Sequence, residues 1–268
     1  MENARIPLGK YVRMAALGNA GAQYTLAKAF LTGGFGLPQN KKKGLHWLCA
    51  AAKNGLAMAQ WELAQKLFRS QDKASHHKAV YWLLEASRQE FAPAQLELAD
   101  RYCQGRGTER DLYTAMVILK KAAANGNTQA MYRVGRLIIE SNTELNTPRA
   151  QGIYYYRLAA QQGHPGALHN LGICYAKGVG VSKDCPKAKT YFVQAIQRGE
   201  GKAIASLALL LFRMARNPTD KTDALTLCYM AEKRAPNPLA TELSNRLKEE
   251  LSPLEVEKAK VQSTGILR

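Results

Sequence analysis

Acidic side chains are scarce in this sequence: 21 Asp and Glu stand against 38 Lys and Arg, a formal net charge of +17. The deficit is uneven. No Asp or Glu occurs between Glu2 and Glu62, although Arg5, Lys10, Arg13, Lys28, Lys41, Lys42, Lys43 and Lys53 all fall there. A second acid-poor stretch, Leu145 to Arg216, holds only Asp184 and Glu200. Such an excess favours acidic partners. Dense basic clusters and a recognisable nucleic-acid reading module are both missing, and a solvated basic outer face accounts for the charge equally well. Long apolar runs are also lacking: the longest, Ile204 to Phe212, is too short to span a bilayer. The segment Met1 to Ala20 has no continuous apolar region of the secretory kind. The 5 cysteines (Cys49, Cys103, Cys174, Cys185, Cys228) form no CxxC pair and no zinc spacing. An odd, scattered set suits thiols used as small core residues in a reducing compartment, so a cytoplasmic location is expected. Proline, 10 residues, is confined to a few junctions, and abundant Ala and Leu favour helices.

Catalytic signatures are missing too. The histidines His46, His76, His77, His164 and His169 are scattered and no HExxH occurs. The adjacent pair His76-His77 reads as part of a solvated linker. There is no GxSxG elbow and no P-loop. Gly178-Val-Gly180 lacks a preceding strand and a third glycine in phase, so it reads as a turn. Cys185 has Lys183, Lys187 and Lys189 nearby, which would lower a thiol pKa, but no histidine base is in register with it. No catalytic, cofactor or metal residue is therefore expected, and the chain reads as a non-enzyme.

What is present is a repeat, which decides the fold before local structure does. Ala22-Gln-Tyr-Thr-Leu26-Ala27 serves as template. Similar starts occur at Ala59, Ala94, Ala130, Ala167 and Ala203, with a degenerate one at Ala240. The spacing of about 36 residues lies in the range of helical-hairpin solenoids. Each first helix carries Ala, Leu four later, then a small residue, then a large apolar one: Ala94, Leu98, Ala99, Tyr102, or Ala167, Leu171, Gly172, Tyr175. That spacing places one stripe inward, and the small residue permits close approach of the partner helix. A glycine turn follows at Gly33-Gly-Phe-Gly36, Gly105-Arg-Gly107 and Gly178-Val-Gly180, where a positive φ ends the helix. The second helix shows Ala, a large residue three later, and Ala again: Ala79, Trp82, Ala86; Ala150, Ile153–Tyr156, Ala159; Ala188, Tyr191, Ala195. Units two, four and six replace the glycines with Ser70–His77, Ser141–Pro148 and Met214–Asp223, linkers expected to differ in shape.

The ends read as caps. Residues 7–20 fit the second helix of an incomplete leading unit, with Tyr11, Ala15 and Ala16 in place. Ser252-Pro-Leu-Glu255 reads as N-cap, Pro at N1 and Glu at N3 of a final helix, and Ser263 to Arg268 as a frayed end. The expected organisation is a capping half-repeat over 1–21, six repeats over 22–239, and a degenerate repeat with capping helix over 240–268.

The run Ala-x-x-x-Leu-Gly-x-x-Tyr-x-x-Gly-x-Gly-Val-x-x-Asp-x-x-Lys-Ala, spelled by Ala167 to Ala188, resembles the Sel1-like repeat, a relative of the tetratricopeptide repeat. The resemblance covers essentially the whole chain, strictly in units three and five. It implies an all-α fold, a right-handed α-solenoid of tandem antiparallel helix pairs with first helices lining the concave side. Some secreted members carry a disulfide linking the two helices of a unit, and this chain lacks that cysteine pattern. The family is dominated by adaptors and includes immunity proteins, so the resemblance implies a protein or peptide partner and no small-molecule substrate. A toxin-like effector is one alternative partner, and nucleic acid or an anionic membrane surface is another.

Positions left over by the apolar stripe should face the concavity. They give the candidate partner-binding set Tyr24, Lys28, Trp61, Glu62, Gln65, Glu97, Asp100, Tyr132, Arg133, Arg136, His169 and Asn170. Aromatic rings beside chargeable groups suit an extended peptide. Equal positions in successive units are neighbours, however, so Glu97 with Arg133 and Asp100 with Arg136 equally suit ion pairs within the stack, worth roughly 0–1 kcal/mol each if exposed. Trp61 and Tyr132 equally suit packing between helices.

Overall fold

The Ala that opens each register has to be small because the neighbouring hairpin presses against it: Ala59, Ala94, Ala130, Ala167, Ala203 and Ala240 are all 0% exposed. The computed structural model describes residues 8–141 and 144–265. Among these the chain is helical throughout, with no strand. Residues 1–7, 142–143 and 266–268, which the sequence assigns to the leading cap, the fourth linker and the C-terminal end, lie outside the described residues.

The chain divides into two units, Met1–Asn127 and Thr128–Arg268. In the first, α1 (Leu8–Ala16) packs on α2 (Ala20–Thr32), which pairs with α3 (Lys41–Lys53). The hairpins α4 (Ala57–Leu67) with α5 (Lys73–Arg88), and α6 (Ala92–Gln104) with α7 (Leu112–Ala124), stack in sequence. In the second, α8 (Thr128–Glu140) pairs with α9 (Arg149–Gln161), α10 (Pro165–Lys177) with α11 (Cys185–Gln197), and α12 (Lys202–Met214) with α13 (Pro218–Arg234). Both α14 (Pro238–Glu250) and α15 (Pro253–Gly265) then pack on α13. This is the expected solenoid of antiparallel helix pairs.

Leu48, Leu83, Leu98 and Leu171 are fully buried, each contributing about 1.5–3 kcal/mol by leaving water. The small residue after the register Leu sets the helix-to-helix distance. A Cβ added to Gly172 would lie 2.5 Å from the Phe192 ring. α10 and α11 thus touch backbone to ring, as the sequence pattern requires.

The glycine turns follow one geometry. Gly178 (φ 74°) caps α10, donating its N–H to the Cys174 carbonyl at 2.8 Å, and Gly105 caps α6 in the same way. The N–H of Asp184 then returns to the Tyr175 carbonyl at 2.9 Å, and that of Asp111 to Tyr102 at 2.9 Å. Each Asp carboxylate caps the helix it opens; the Thr114 hydroxyl and N–H hold the Asp111 carboxyl, and the Lys187 N–H and ammonium the Asp184 carboxyl, below their ordinary pKa. In the first repeat one extra residue is absorbed by a short 3-10 turn in which Phe35 takes φ 56°.

Five details correct the sequence reading. The linker of the second repeat ends earlier than Ser70–His77 suggests: Asp72 caps α5, and His76 and His77 lie in its first turns, with His76 Nε2 2.8 Å from the Ser70 carbonyl. Likewise Asn217 caps α13, so Asp223 is helical. In both repeats the missing glycine loop is replaced by an extra helical turn. In the fourth repeat the small residue of the second helix is Gly152, whose added Cβ would meet Ile139 at 2.9 Å, whereas Ala150 is exposed. In α1, Ala15 is buried but Ala16 is exposed. At the other end Ser263 and Thr264 continue α15, and Ser263 is 0% exposed. The final cap forms as expected: the Ser252 N–H donates to the Glu255 carboxylate at 2.8 Å.

Candidate functional site

In the first unit, candidate residues on successive first helices are wired to one another. The Tyr24 hydroxyl donates to Glu62 at 2.6 Å, and Lys28 Nζ lies 3.1 Å from the same carboxylate. One repeat on, Trp61 Nε1 donates to Glu97 at 2.9 Å, and Gln65 reaches Glu97 at 3.5 Å. The rule is the same in both steps: the third position of one first helix donates to the fourth position of the next. Burial and the Glu62 carboxylate together push the Tyr24 phenol well above its ordinary pKa. Glu97 also accepts from Arg101 within α6 at 2.9 Å, and Arg101 lies over the Phe68 ring at 3.6 Å. Trp61 makes an edge contact with Phe91 at 5.9 Å. Asp100 is half-buried on the same helix.

In the second unit the wiring changes chemistry. His169 Nε2 lies 2.8 Å from Ser206 Oγ, the same step from third to fourth position. That bond is therefore a rung of the stack, with Ser206 inside α12. Burial holds the His169 pKa below its ordinary value. Asn170 turns inward, its amide donating to the buried Tyr156 hydroxyl at 2.9 Å. Tyr132 stacks on His164 with centroids 4.4 Å apart. Arg133 is half-buried, and exposed Arg136 lies 3.6 Å from Glu140 of its own helix. Tyr24, Trp61, Tyr132 and Asn170 thus pack and brace the helices, while Lys28 and Arg136 reach solvent.

Sequence reasoning missed two features. One is a row of buried glutamines at the second position: Gln23 donates to the Ala15 carbonyl at 3.0 Å, Gln60 to Ala52 at 3.1 Å and Gln95 to Ser87 at 3.5 Å. The repeating Gln after Ala was visible in sequence. The other is a cleft of about 260 Å³ between α10, α11, α12 and α14, floored by Ile173, Phe192, Leu209 and Leu210. Its lining draws on a loop and on α14, so no single repeat announces it.

The thiols of Cys174 and Cys228 are pushed up by burial, to about 11 and about 12, so both stay protonated and unreactive at neutral pH. Among the described residues no three His, Cys, Asp or Glu side chains converge as a metal site, and no helix is long and apolar enough to cross a membrane.

The family model for the Sel1 repeat matches residues 20–56, 57–91, 92–127, 128–164 and 165–200. The chain belongs to the Sel1 repeat family. Each matched Sel1 repeat opens two residues ahead of the Ala register, and the α12–α13 pair lies beyond the matched residues. Among solved structures the fold is similar to a Sel1 repeat protein from Oxalobacter formigenes (TM-score 0.73, 23% identity, 85% of this chain and 93% of that one). It is also similar to a protective antigen of uropathogenic Escherichia coli strains (TM-score 0.69, 18% identity, 96% and 70%). At those identities the likeness concerns the fold alone. Among curated proteins, DAP3-binding cell death enhancer 1 of Rattus norvegicus is 29% identical over 115 residues, 43% of this chain, and its Mus musculus counterpart 32% over 105 residues, 39% of this chain. The matched segments span 22% and 20% of those relatives' own length.

Proposed function

We propose that this chain is a protein-interaction module that grips a partner protein or peptide along the face formed by its first helices. The observation that carries the reading is that face itself. Aromatic rings and carboxylates at repeat-equivalent positions are braced by one another, as Tyr24 and Lys28 are by Glu62, so a partner meets a surface whose side chains are already fixed and costs little further ordering. On this reading α12 and α13 act as a diverged sixth repeat, because the Ala203–Leu207–Ala208 register is buried as in the others. The curated relatives named for binding DAP3 support the interaction class.

Crosslinking mass spectrometry in native cells, followed by binding measurements with the purified chain, tests this. A stoichiometric protein partner should crosslink through the first helices, and Lys28→Glu with Arg136→Glu should weaken it at least tenfold. Crosslinks confined to the second helices, or unchanged affinity in the double variant, would refute the assignment. The net charge of +17 favours one second reading, nucleic acid or an anionic membrane surface. That reading requires binding to fall steeply with added salt. An immunity role requires that the partner recovered be a toxin-like effector.

A further inference from the structure

We propose that the cleft between α10, α11, α12 and α14 takes a bulky apolar side chain from a partner segment that carries carboxylates beside it. The inference rests on the partner-binding reading above and names the partner's chemistry.

The cleft's floor is apolar, and its mouth keeps Met214 and Leu239 41% and 39% exposed. At about 260 Å³ it is far larger than a packing void, since room for one water needs only about 10–15 Å³. Of the two weakly polar wall residues, Cys185 and Ser206, Ser206 already faces His169 at 2.8 Å. The floor therefore asks for hydrocarbon.

The rim asks for negative charge. Lys177 ends α10, Lys183 lies in the following loop and Arg213 is on α12; all three are exposed and line this one cleft. The lining contains no Asp or Glu, and none of the three has an ion-pair partner among the described residues. The nearest acid in sequence, Asp184, is committed to capping α11 and to Lys187 at 3.0 Å. Arg213 also borders a neighbouring hollow with Asp220 and Asp223, where Asp220 accepts from the Arg216 N–H at 2.8 Å. In the first unit two of the three first-helix cations are answered from within, Lys28 by Glu62 and Arg101 by Glu97. Here they are not. Three like charges around an apolar hollow repel one another, and an incoming carboxylate relieves that repulsion while its apolar neighbour is buried.

The test uses the full chain and three blocked hexapeptides. One has Leu-Phe flanked by Asp and Glu, one has Leu-Phe flanked by Lys, and one has Ala-Ala flanked by Asp and Glu. Cys185 lies in the cleft wall and Cys49 is remote in sequence and in the other unit, so alkylation at the two thiols, followed by mass spectrometry, reports occupancy site by site. The acidic Leu-Phe peptide should slow alkylation of Cys185 at least fivefold and leave Cys49 unchanged. The two other peptides should bind at least tenfold more weakly. Lys177→Glu with Arg213→Glu, both at exposed positions, should abolish the protection and turn the preference to the Lys-flanked peptide, with an unchanged circular dichroism spectrum. Equal binding of the three peptides, indifference to the reversal, or protection by laurate and not by peptide would each overturn the proposal. A native partner that crosslinks through the first helices of the first unit and spares Lys177 and Lys183 would sink this cleft while leaving the interaction reading intact. Loss of every native partner alongside specific peptide protection would do the opposite.

Discussion

At the scale of single residues, the glutamine row has one weak member. Gln23 and Gln60 each have both ends engaged, because Asn54 donates to Gln23 and Gln89 to Gln60, both at 2.9 Å. The corresponding donor for Gln95 is Asn125, which closes α7 and gives its amide to Glu90 at 3.1 Å instead. Among the described residues the carbonyl oxygen of Gln95 is therefore buried without a partner, and the bond its amide donates to Ser87 is 3.5 Å long. The next repeat places Met131 at the same position. Gln60→Met should lower stability by about 1–3 kcal/mol, since it strands the Ala52 carbonyl and the Gln89 amide, whereas Gln95→Met should change it by less than about 0.5 kcal/mol or raise it. Urea denaturation of the two variants checks this, and equal losses would show that the row acts as one unit. The inward stripe was legible in the sequence because Ala and Leu recur at fixed spacing from one repeat to the next, although Ala16 and Ala150 fit that pattern and are exposed. The glutamines were not, because a polar residue is assigned inside only once the carbonyl it meets is known.

Helices show the same division. The loop glycines and the Ser252–Glu255 box carry their own chemical signatures, and they formed where expected. The extra turns of α5 and α13 were hidden, because a missing glycine pair announces that a loop has changed and not what replaces it. One cap brings a pH dependence. His164 opens α10, its Nδ1 accepting the Ala167 N–H at 3.2 Å while Nε2 faces Gln129 at 2.8 Å. This is a neutral ring, and burial lowers its pKa below the ordinary 6.5 against the pull of Glu200. A depressed histidine stabilises the fold fully above 6.5 and loses that contribution as the pH falls through its lower folded value. The melting temperature should therefore drop between pH 7 and pH 5. His164→Asn keeps an acceptor for Ala167 without a titrating ring, so it should drop less, His169 supplying the remainder. Parallel thermal melts at pH 7, 6 and 5 decide it; identical slopes would mean the cap does not titrate in that window.

For the molecule as a whole, the excess of 38 basic over 21 acidic residues is carried with few internal neutralising contacts on the second unit's rim. Self-repulsion on that scale opposes the folded state and is screened by electrolyte. The melting temperature at neutral pH should rise between 20 and about 300 mM sodium chloride, as that range shortens the Debye length several-fold. Calorimetry at the two salt concentrations measures the shift, and a fall would mean that internal ion pairs outweigh the repulsion. Composition made this global charge legible, but not where it stays unanswered, since that depends on Lys183, Arg213 and Leu239 meeting from three elements. The loop between α10 and α11 has a consequence for how such a protein changes over time. Its ends are fixed by the Gly178 amide to Cys174, the Asp184 amide to Tyr175 and the Asp184 carboxylate that caps α11, none of which uses the side chain at 183, so that side chain is free to vary. Swapping that lysine for another residue would retune the cleft's taste in ligands while every helix stays where it was, which lets recognition drift independently of architecture.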